Sequence, residues 1–292
     1  MSVVPRHFSE PSLRVMTWNI HGGIGPDGRF DLDGIAALIA RHKPDILALQ
    51  EIDTRGRPVE CLAPLQGLGI AHFTEARTIA VPDGHYGHAL FSRWPTERVC
   101  LHDLSVRRRE PRIGIEATVR TPAGLLNVVA VHVGLASLER RRQVMTLAAL
   151  VKRRRLPTLM MGDFNDWFSF GLVTRTLTRV LPERTEVRSF PARWPVLRLD
   201  RIYASHKGMI GEARTDVAAR FASDHLPVIA DIRLPVTTWR GEGTEPVHEG
   251  HVDPADPRSG ELLHVDEPAD ALRRAAGSAT RSAADAGPQP HP

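Results

Sequence analysis

The sequence predicts an α/β (α+β) fold in which β-sheets pack on one another with helices outside. Three observations predict it. Strand-like segments outnumber helical ones. The helices are interspersed among the strands instead of alternating with them as a βαβ repeat would require. Apolar residues make up 42% of the 292 positions, enough for a sizeable core.

Taken in order, residues 1–12 read as a loose lead-in and 13–20 (LRVMTWNI) as a strand. Residues 31–43 read as a helix because Leu32, Ile35, Leu38 and Ile39 recur at helical spacing, and Pro44 ends it. Strand resumes at 45–52 (DILALQEI), and a Gly/Pro-rich stretch runs to about residue 70. Further strands are expected at 70–75, 87–93, 98–105, 113–121 and 125–133, the last two joined by a turn at 122–124. A second helix is expected over 138–154, with Ser137 as N-cap, Glu139 in the first turn and an inner stripe of Val144, Leu147, Ala148 and Val151. The basic runs at 140–142 and 152–155 read as solvated faces. Residues 157–161 form a short apolar strand, 170–181 a helix, and 197–204 and 226–234 the closing strands. No internal repeat is visible.

From residue 240 the character changes. Residues 240–292 hold seven Pro, six Gly and no aromatic residue. Such a segment buries too little apolar surface to offset its ordering entropy, so 236–292 is expected to be a disordered acidic tail. Ten acidic residues and five Arg fall in 240–292, so the chain's net +4 leaves about +9 on residues 1–239. A positive domain suits an anionic partner such as a phosphate ester or nucleic acid. Cys61 and Cys100 have no spacing that suggests a metal site or a disulfide framework. No signal peptide is visible at the N-terminus, and no run reaches the roughly 18–20 apolar residues of a membrane span. A cytoplasmic monomer is the expectation.

The informative pattern lies where apolar strands end. Asn19 closes the first in TWNIHGG, and Gln50-Glu51 closes the second. His132 ends the strand at 125–133, and 157–161 runs into Gly162-Asp163-Phe164-Asn165. Asp200 sits inside LRLDRIYA, and Ser223-Asp224-His225 precedes the last strand. Carboxylates with a side-chain amide are hard oxygen ligands suited to Mg²⁺ or Mn²⁺. Two His with carboxylate partners can bind a phosphoryl group, and an Asp beside an Asn can hold and deprotonate a water. Together these meet the needs of phosphoryl transfer to water.

These motifs, in this order over residues 13–235, resemble the endonuclease/exonuclease/phosphatase superfamily. The resemblance rests on TWNIHGG, LQE, GDFND, LDRIYA and SDHLPV, with REPRIGIEATV and VHVGLASLERRRQ between them. It implies a DNase I-like, four-layer sandwich of two packed, mostly antiparallel β-sheets flanked by helices. It also implies roles. Glu51 would be the principal metal ligand, with Asn19 beside the metal and Asp224 completing the region. Asp163 would position and activate the attacking water, and Asn165 would hold that water or the phosphate. His132 would bind a phosphate oxygen. His225 would contact the scissile phosphate, oriented and kept charged by Asp200. Tyr86, Arg109 and Arg112 are candidate phosphate contacts, and between the two Arg the sequence does not choose. The sequence departs from the family at His88 in YGHALFSR, where an Asn is common. His21 reads as loop, and Trp167 and Phe168 read as packing a helix entry, with a place on the substrate rim as the alternative.

The expected activity is a Mg²⁺-dependent phosphoesterase acting on a phosphodiester or phosphomonoester. An endonuclease or exonuclease acting on DNA is the alternative, and a non-catalytic binding module on the same fold is a third reading. A decayed enzyme would be expected to have lost Glu51, Asp163 or His225, and all three are present.

Overall fold

The computed structural model describes residues 12–168 and 171–235. The expected tail at 236–292 and all but the last residue of the lead-in lie outside the described residues. Twelve strands and four α-helices follow in chain order: β1 (Leu13–Asn19), α1 (Leu32–His42), β2 (Ile46–Asp53), α2 (Ala63–Gln66), β3 (His72–Val81), β4 (Gly84–Ser92), β5 (Thr96–Asp103), β6 (Ile113–Thr121), β7 (Gly124–His132), α3 (Ser137–Lys152), β8 (Thr158–Asp163), α4 (Leu172–Leu177), β9 (Glu183–Arg184), β10 (Asp200–Ala204), β11 (Ile210–Thr215) and β12 (Val228–Ile232). They form two six-stranded sheets, ordered β11-β12-β1-β2-β4-β3 and β5-β6-β7-β8-β10-β9.

Each sheet has one parallel pair at its centre, and each pair is joined by a helix. β1 and β2 run parallel across α1, and β7 and β8 run parallel across α3. Every other pairing is antiparallel. A parallel pair places the C-terminal ends of both strands at one edge of its sheet. That edge is where the polar clusters of the sequence collect.

The central strands are apolar on both faces because both faces are covered. Val15, Ile46 and Ala48 meet Ala117, Val128, Ala130 and Met161 between the sheets. On the far face of the first sheet, Met16, Trp18 and Leu49 pack against Ile35 and Ile39 of α1. On the far face of the second, Val129, Val131 and Met160 pack against Val144, Leu147 and Val151 of α3. This makes four layers: helix, sheet, sheet, helix. Each fully buried Val, Leu or Ile contributes roughly 1.5–3 kcal/mol of transfer free energy.

Local chemistry sets the ends. The Asp31 carboxylate caps α1 by accepting from the Gly34 N–H at 2.7 Å. Ser137 is the first helical residue of α3, not its cap; Ala136 holds the cap position, and its N–H reaches Glu139 at 3.4 Å. The helix expected over 170–181 is only the six-residue α4. Thr174, Thr176 and Thr178 restrict it through their stiff β-branched side chains. β11 gives no signal in the sequence because it is an edge strand with no fully buried residue and no apolar run.

One ion-pair cluster ties α3 to its sheet. Arg154, just beyond the helix, grips the Glu116 carboxylate of β6 with Nε and a guanidinium N–H, each at 2.5 Å, and His102 of β5 adds a contact at 2.9 Å. Burial opposes the charge on Glu116, but His102 and Arg154 outweigh it and hold the carboxyl at about 2 against an ordinary 4.5. The sign follows. This contribution is fully present above about pH 4.5 and is lost as the pH falls toward 2. After allowance for solvent screening of the outer partners it is worth about 1–2 kcal/mol. We expect Glu116→Gln to lower the melting temperature at pH 7 and to shrink the loss between pH 4.5 and 2.5. Parallel melting curves of parent and variant across that window would refute this.

Candidate active site at the C-terminal edge of the two sheets

The first sheet supplies Asn19, Glu51, Asp224 and His225, and the second supplies His132, Asp163, Asn165 and Asp200. Register explains the convergence. Asn19 pairs with Gln50 across β1 and β2, and His132 pairs with Asp163 across β7 and β8. Asp200 starts β10 directly opposite Asp163. Residues 223–225 precede β12, which is antiparallel to β1, so they arrive at the same edge.

Hydrogen bonds stitch the sheets together there. Asn19 Nδ2 donates to Glu51 Oε1 at 2.8 Å and to Asp163 Oδ2 at 3.1 Å. His225 Nδ1 meets Asp200 Oδ2 at 2.8 Å. The Ser223 hydroxyl donates to the Asn19 carbonyl at 2.8 Å and accepts from the His225 N–H at 3.1 Å. Trp18 Nε1 donates to the His225 carbonyl at 2.9 Å. His132 Nε2 stands 3.7 Å from Glu51 Oε1 and 3.8 Å from Asp163 Oδ2. These exceed hydrogen-bond length, so the ring faces the carboxylates without binding them.

Backbone geometry aims two of these groups. Glu51 lies at φ 58° where the β2–β4 register shifts, a bulge that turns its side chain toward the site. Asn165 lies at φ 47°, a conformation Asn tolerates. Its N–H donates to Asp163 Oδ1 at 2.8 Å, and its Nδ2 donates to the Val133 carbonyl at 2.9 Å. Only Gly fits at 162: a Cβ there would lie 1.9 Å from the Val131 carbonyl oxygen, inside the β7–β8 pairing.

The electrostatics divide the groups. Burial opposes the Glu51 charge, but His21, His132 and Asn19 outweigh it and hold its carboxyl at about 2. Burial, and then the Asp200 charge, push Asp163 above the carboxylate range. Burial works against a charged His225, but Asp200, Asp163 and Asp224 overcome it and raise the ring to about 10. Burial, and then the Arg112 charge, keep His132 well below its ordinary value, and the same two causes hold His88 at about 4. On either side of the Asp163 carboxylate, His225 is therefore charged and His132 neutral at neutral pH.

Of the phosphate-contact candidates, Arg112 is buried, close enough to His132, His88 and Tyr86 for its charge to act on all three. Arg109 sits exposed on the loop before β6. Arg112 is thus the Arg that the fold brings to this edge. The structure adds to the sequence reading at three residues. His21 is part of the cluster, with Nδ1 3.5 Å from Glu51 Oε2 and 3.7 Å from Asp224 Oδ1. Trp167 and Phe168 are 47% and 72% exposed, which favours the rim alternative over packing at a helix entry. Asp166 at the end of GDFND anchors α4, accepting from the Thr174 hydroxyl at 3.0 Å. Phe190 lies against the His225 ring at 4.7 Å, and Trp167 meets Phe190 edge-on at 6.1 Å. Chain position gave no signal for Phe190.

Two carboxylates, Glu51 and Asp224, converge on the ring of His21 and raise its affinity for a proton, so the place already suits a positive charge. Their hard oxygens fit a divalent cation. Asn19 presents its amide nitrogen to Glu51, while its oxygen accepts from the His21 N–H at 3.1 Å. Asp163, Asp200 and His225 also lie within 4.8 Å of one another and by composition could hold a cation. The short His225–Asp200 bond and the charged ring make that trio an ion pair first.

Two packed sheets with carboxylates and imidazoles gathered at one edge define a hydrolase of phosphoester bonds. Residues 16–225 match the Endonuclease/Exonuclease/phosphatase family, and the chain belongs to it. It is 30% identical over 254 residues to the uncharacterized protein YbhP of Escherichia coli (strain K12), covering 79% of this chain and 100% of YbhP. The endonuclease/exonuclease/phosphatase from Beutenbergia cavernae DSM 12333 has the same fold, with a TM-score of 0.63 at 22% identity, over 77% of this chain and 72% of that one. The corresponding protein from Bacteroides vulgatus has a TM-score of 0.62 at 20% identity, over 77% of this chain and 100% of its own. Among the described residues no helix is long and apolar enough to cross a membrane.

Proposed function

We propose that the protein is a Mg²⁺-dependent phosphoesterase that hydrolyses its substrate by attack of an activated water. The observation that carries this reading is the position of Asp163. Its carboxylate is buried where Asn19, His132 and His225 converge from both sheets, at 3.1, 3.8 and 3.9 Å. A carboxylate pushed above its ordinary range is a stronger base near neutral pH.

In this reading Asn165 and Asp163 hold the water, and its proton passes to Asp163 as its oxygen bonds to phosphorus. The bond from phosphorus to the leaving oxygen breaks. Charged His225, fixed by Asp200, and buried Arg112 meet the non-bridging oxygens, and neutral His132 donates a further hydrogen bond. Tyr86 lines the same side. Glu51 and Asp224, with Asn19 beside them, would hold the divalent cation, which supplies charge neutralisation at the phosphate. EDTA is expected to abolish hydrolysis of bis(p-nitrophenyl) phosphate, and added Mg²⁺ or Mn²⁺ to restore it. Full turnover in chelator would exclude the role given to Glu51 and Asp224.

A second reading, a nuclease acting on DNA, is favoured by the exposed aromatics. Trp167 reaches His225 through Phe190, and Trp194, 72% exposed, tips the turn that follows Phe190. Exposed rings beside a phosphate site can stack bases. A panel of plasmid DNA, abasic DNA, RNA, phospholipids and inositol phosphates separates the two readings: nuclease action requires cleavage of the nucleic acids over the small esters.

A further inference from the structure

A polar cavity lies on the α3 side of the second sheet, away from the catalytic edge. Its volume is about 220 Å³, and Arg98, Cys100, Thr118, Asn127, Arg153 and Arg155 are among the residues that line it. Asn127 precedes His132 by five residues on β7, so the cavity stands roughly 16 Å down the strand from the catalytic end. Register builds its floor. Arg98 pairs with Thr118, Cys100 with Glu116, and Thr118 with Asn127, which places these side chains on one face of β5, β6 and β7. The segment that leaves α3 forms the other wall.

The charges in this cavity do not balance. Glu116 is spent on Arg154 and His102. Arg98, Arg153 and Arg155 face the same space with no carboxylate partner among the described residues. Asn127 is buried, and its side-chain amide acts on the Glu116 carboxylate as a weak donor, outside normal hydrogen-bond geometry. Three exposed guanidinium groups around one cavity give it a positive potential, and a buried amide N–H whose acceptor lies outside normal geometry is incompletely satisfied. One kind of ligand relieves both: a compact oxyanion with several acceptor oxygens. Guanidinium forks match phosphate oxygens in a paired geometry that a single chloride cannot use.

We propose that this cavity is a binding site for a phosphate group, separate from the catalytic centre, with Arg98, Arg153 and Arg155 as its cationic contacts and the Asn127 amide and Thr118 hydroxyl as its neutral ones. Its size takes one or two phosphate units, carried either by a free anion or by a lipid headgroup at the molecular surface. The basic run at 152–155 is thereby more than a solvated face.

Cys100 reports on occupancy. Cys61→Ser leaves it as the sole cysteine of the full chain. In EDTA, with ionic strength held constant by NaCl, saturating pyrophosphate is expected to slow alkylation of Cys100 by iodoacetamide at least tenfold. Arg98→Ala with Arg155→Ala, both exposed positions, is expected to remove that protection and to weaken the calorimetric Kd for pyrophosphate at least tenfold. Vesicles containing phosphatidic acid form the second arm: protection by pyrophosphate alone identifies a free anion, and protection by vesicles at equal phosphate identifies a headgroup. Protection by neither, protection that persists in the double Arg variant, or a Kd that the variant leaves unchanged would each overturn the site. Should nucleic acid protect Cys100 where pyrophosphate and vesicles do not, the cavity is an extended polyanion surface and the proposal fails.

Discussion

Asp163→Asn is expected to lower turnover of a phosphodiester by about 10²–10⁴-fold, the range of a lost general base. The fold should survive. Asn preserves shape and can still accept from the Asn165 N–H; it loses the bond from Asn19 Nδ2, against which stands the removal of a buried charge beside Asp200. The sign of the stability change is fixed by the direction of the shift. A carboxyl held above its unfolded value costs stability as the pH rises past that unfolded value. In EDTA at pH 8 the variant should therefore melt no lower than the parent. Kinetics with Mg²⁺ and melting curves in chelator test the two halves separately. Undiminished turnover would remove Asp163 from the chemistry, and a large fall in melting temperature would show that its role is structural.

Asp200→Asn is expected to produce the second large loss through a different route. Asp200 is the strongest of the groups that keep His225 charged, and the ring sits at about 10 in its presence. Without that partner the ring should titrate nearer its ordinary 6.5. Activity that needs the imidazolium is then lost as the pH rises through the lower value. The alkaline limb of the kcat/KM profile should move down, with a small deficit at pH 6 and a loss of about 10²-fold or more at pH 9. The same linkage acts on stability. The parent's contribution from this pair is fully present below 6.5 and fades toward 10. His225→Ala should lose activity at every pH. An Asp200→Asn profile that falls uniformly, with no shift of the limb, would make Asp200 a packing residue.

Much of this architecture was legible from one-dimensional pattern. The apolar runs of β1, β2, β7 and β8 read as strands because both of their faces are buried. α1 read correctly along its length because its apolar stripe and closing Pro44 agree, and Asp31, read as the first helical residue, is its cap. Where local signals were weak the reading slipped. β11 is an edge strand with no apolar run, and α4 is shortened by threonines whose preference competes with helix. The clusters at Asn19, Glu51, His132, Asp163, Asp200 and His225 were visible as polar residues at the ends of apolar strands, and their order carried the family resemblance.

By itself, the sequence determined the layer architecture, the inventory of reactive groups and the family, because periodicity and motif order are properties of the chain. Only the tertiary structure decided how those groups are charged and which neighbours join them. It placed His21 between Glu51 and Asp224, brought buried Arg112 near His132 while leaving Arg109 exposed, and set charged His225 against neutral His132. It also turned Trp167 and Phe168 outward and gathered Arg98 with Arg153 and Arg155 around one cavity. Each of these depends on burial and on partners distant in the chain. Such neighbours are created by the two parallel pairs and the packing of the sheets, and no local stretch of residues encodes them.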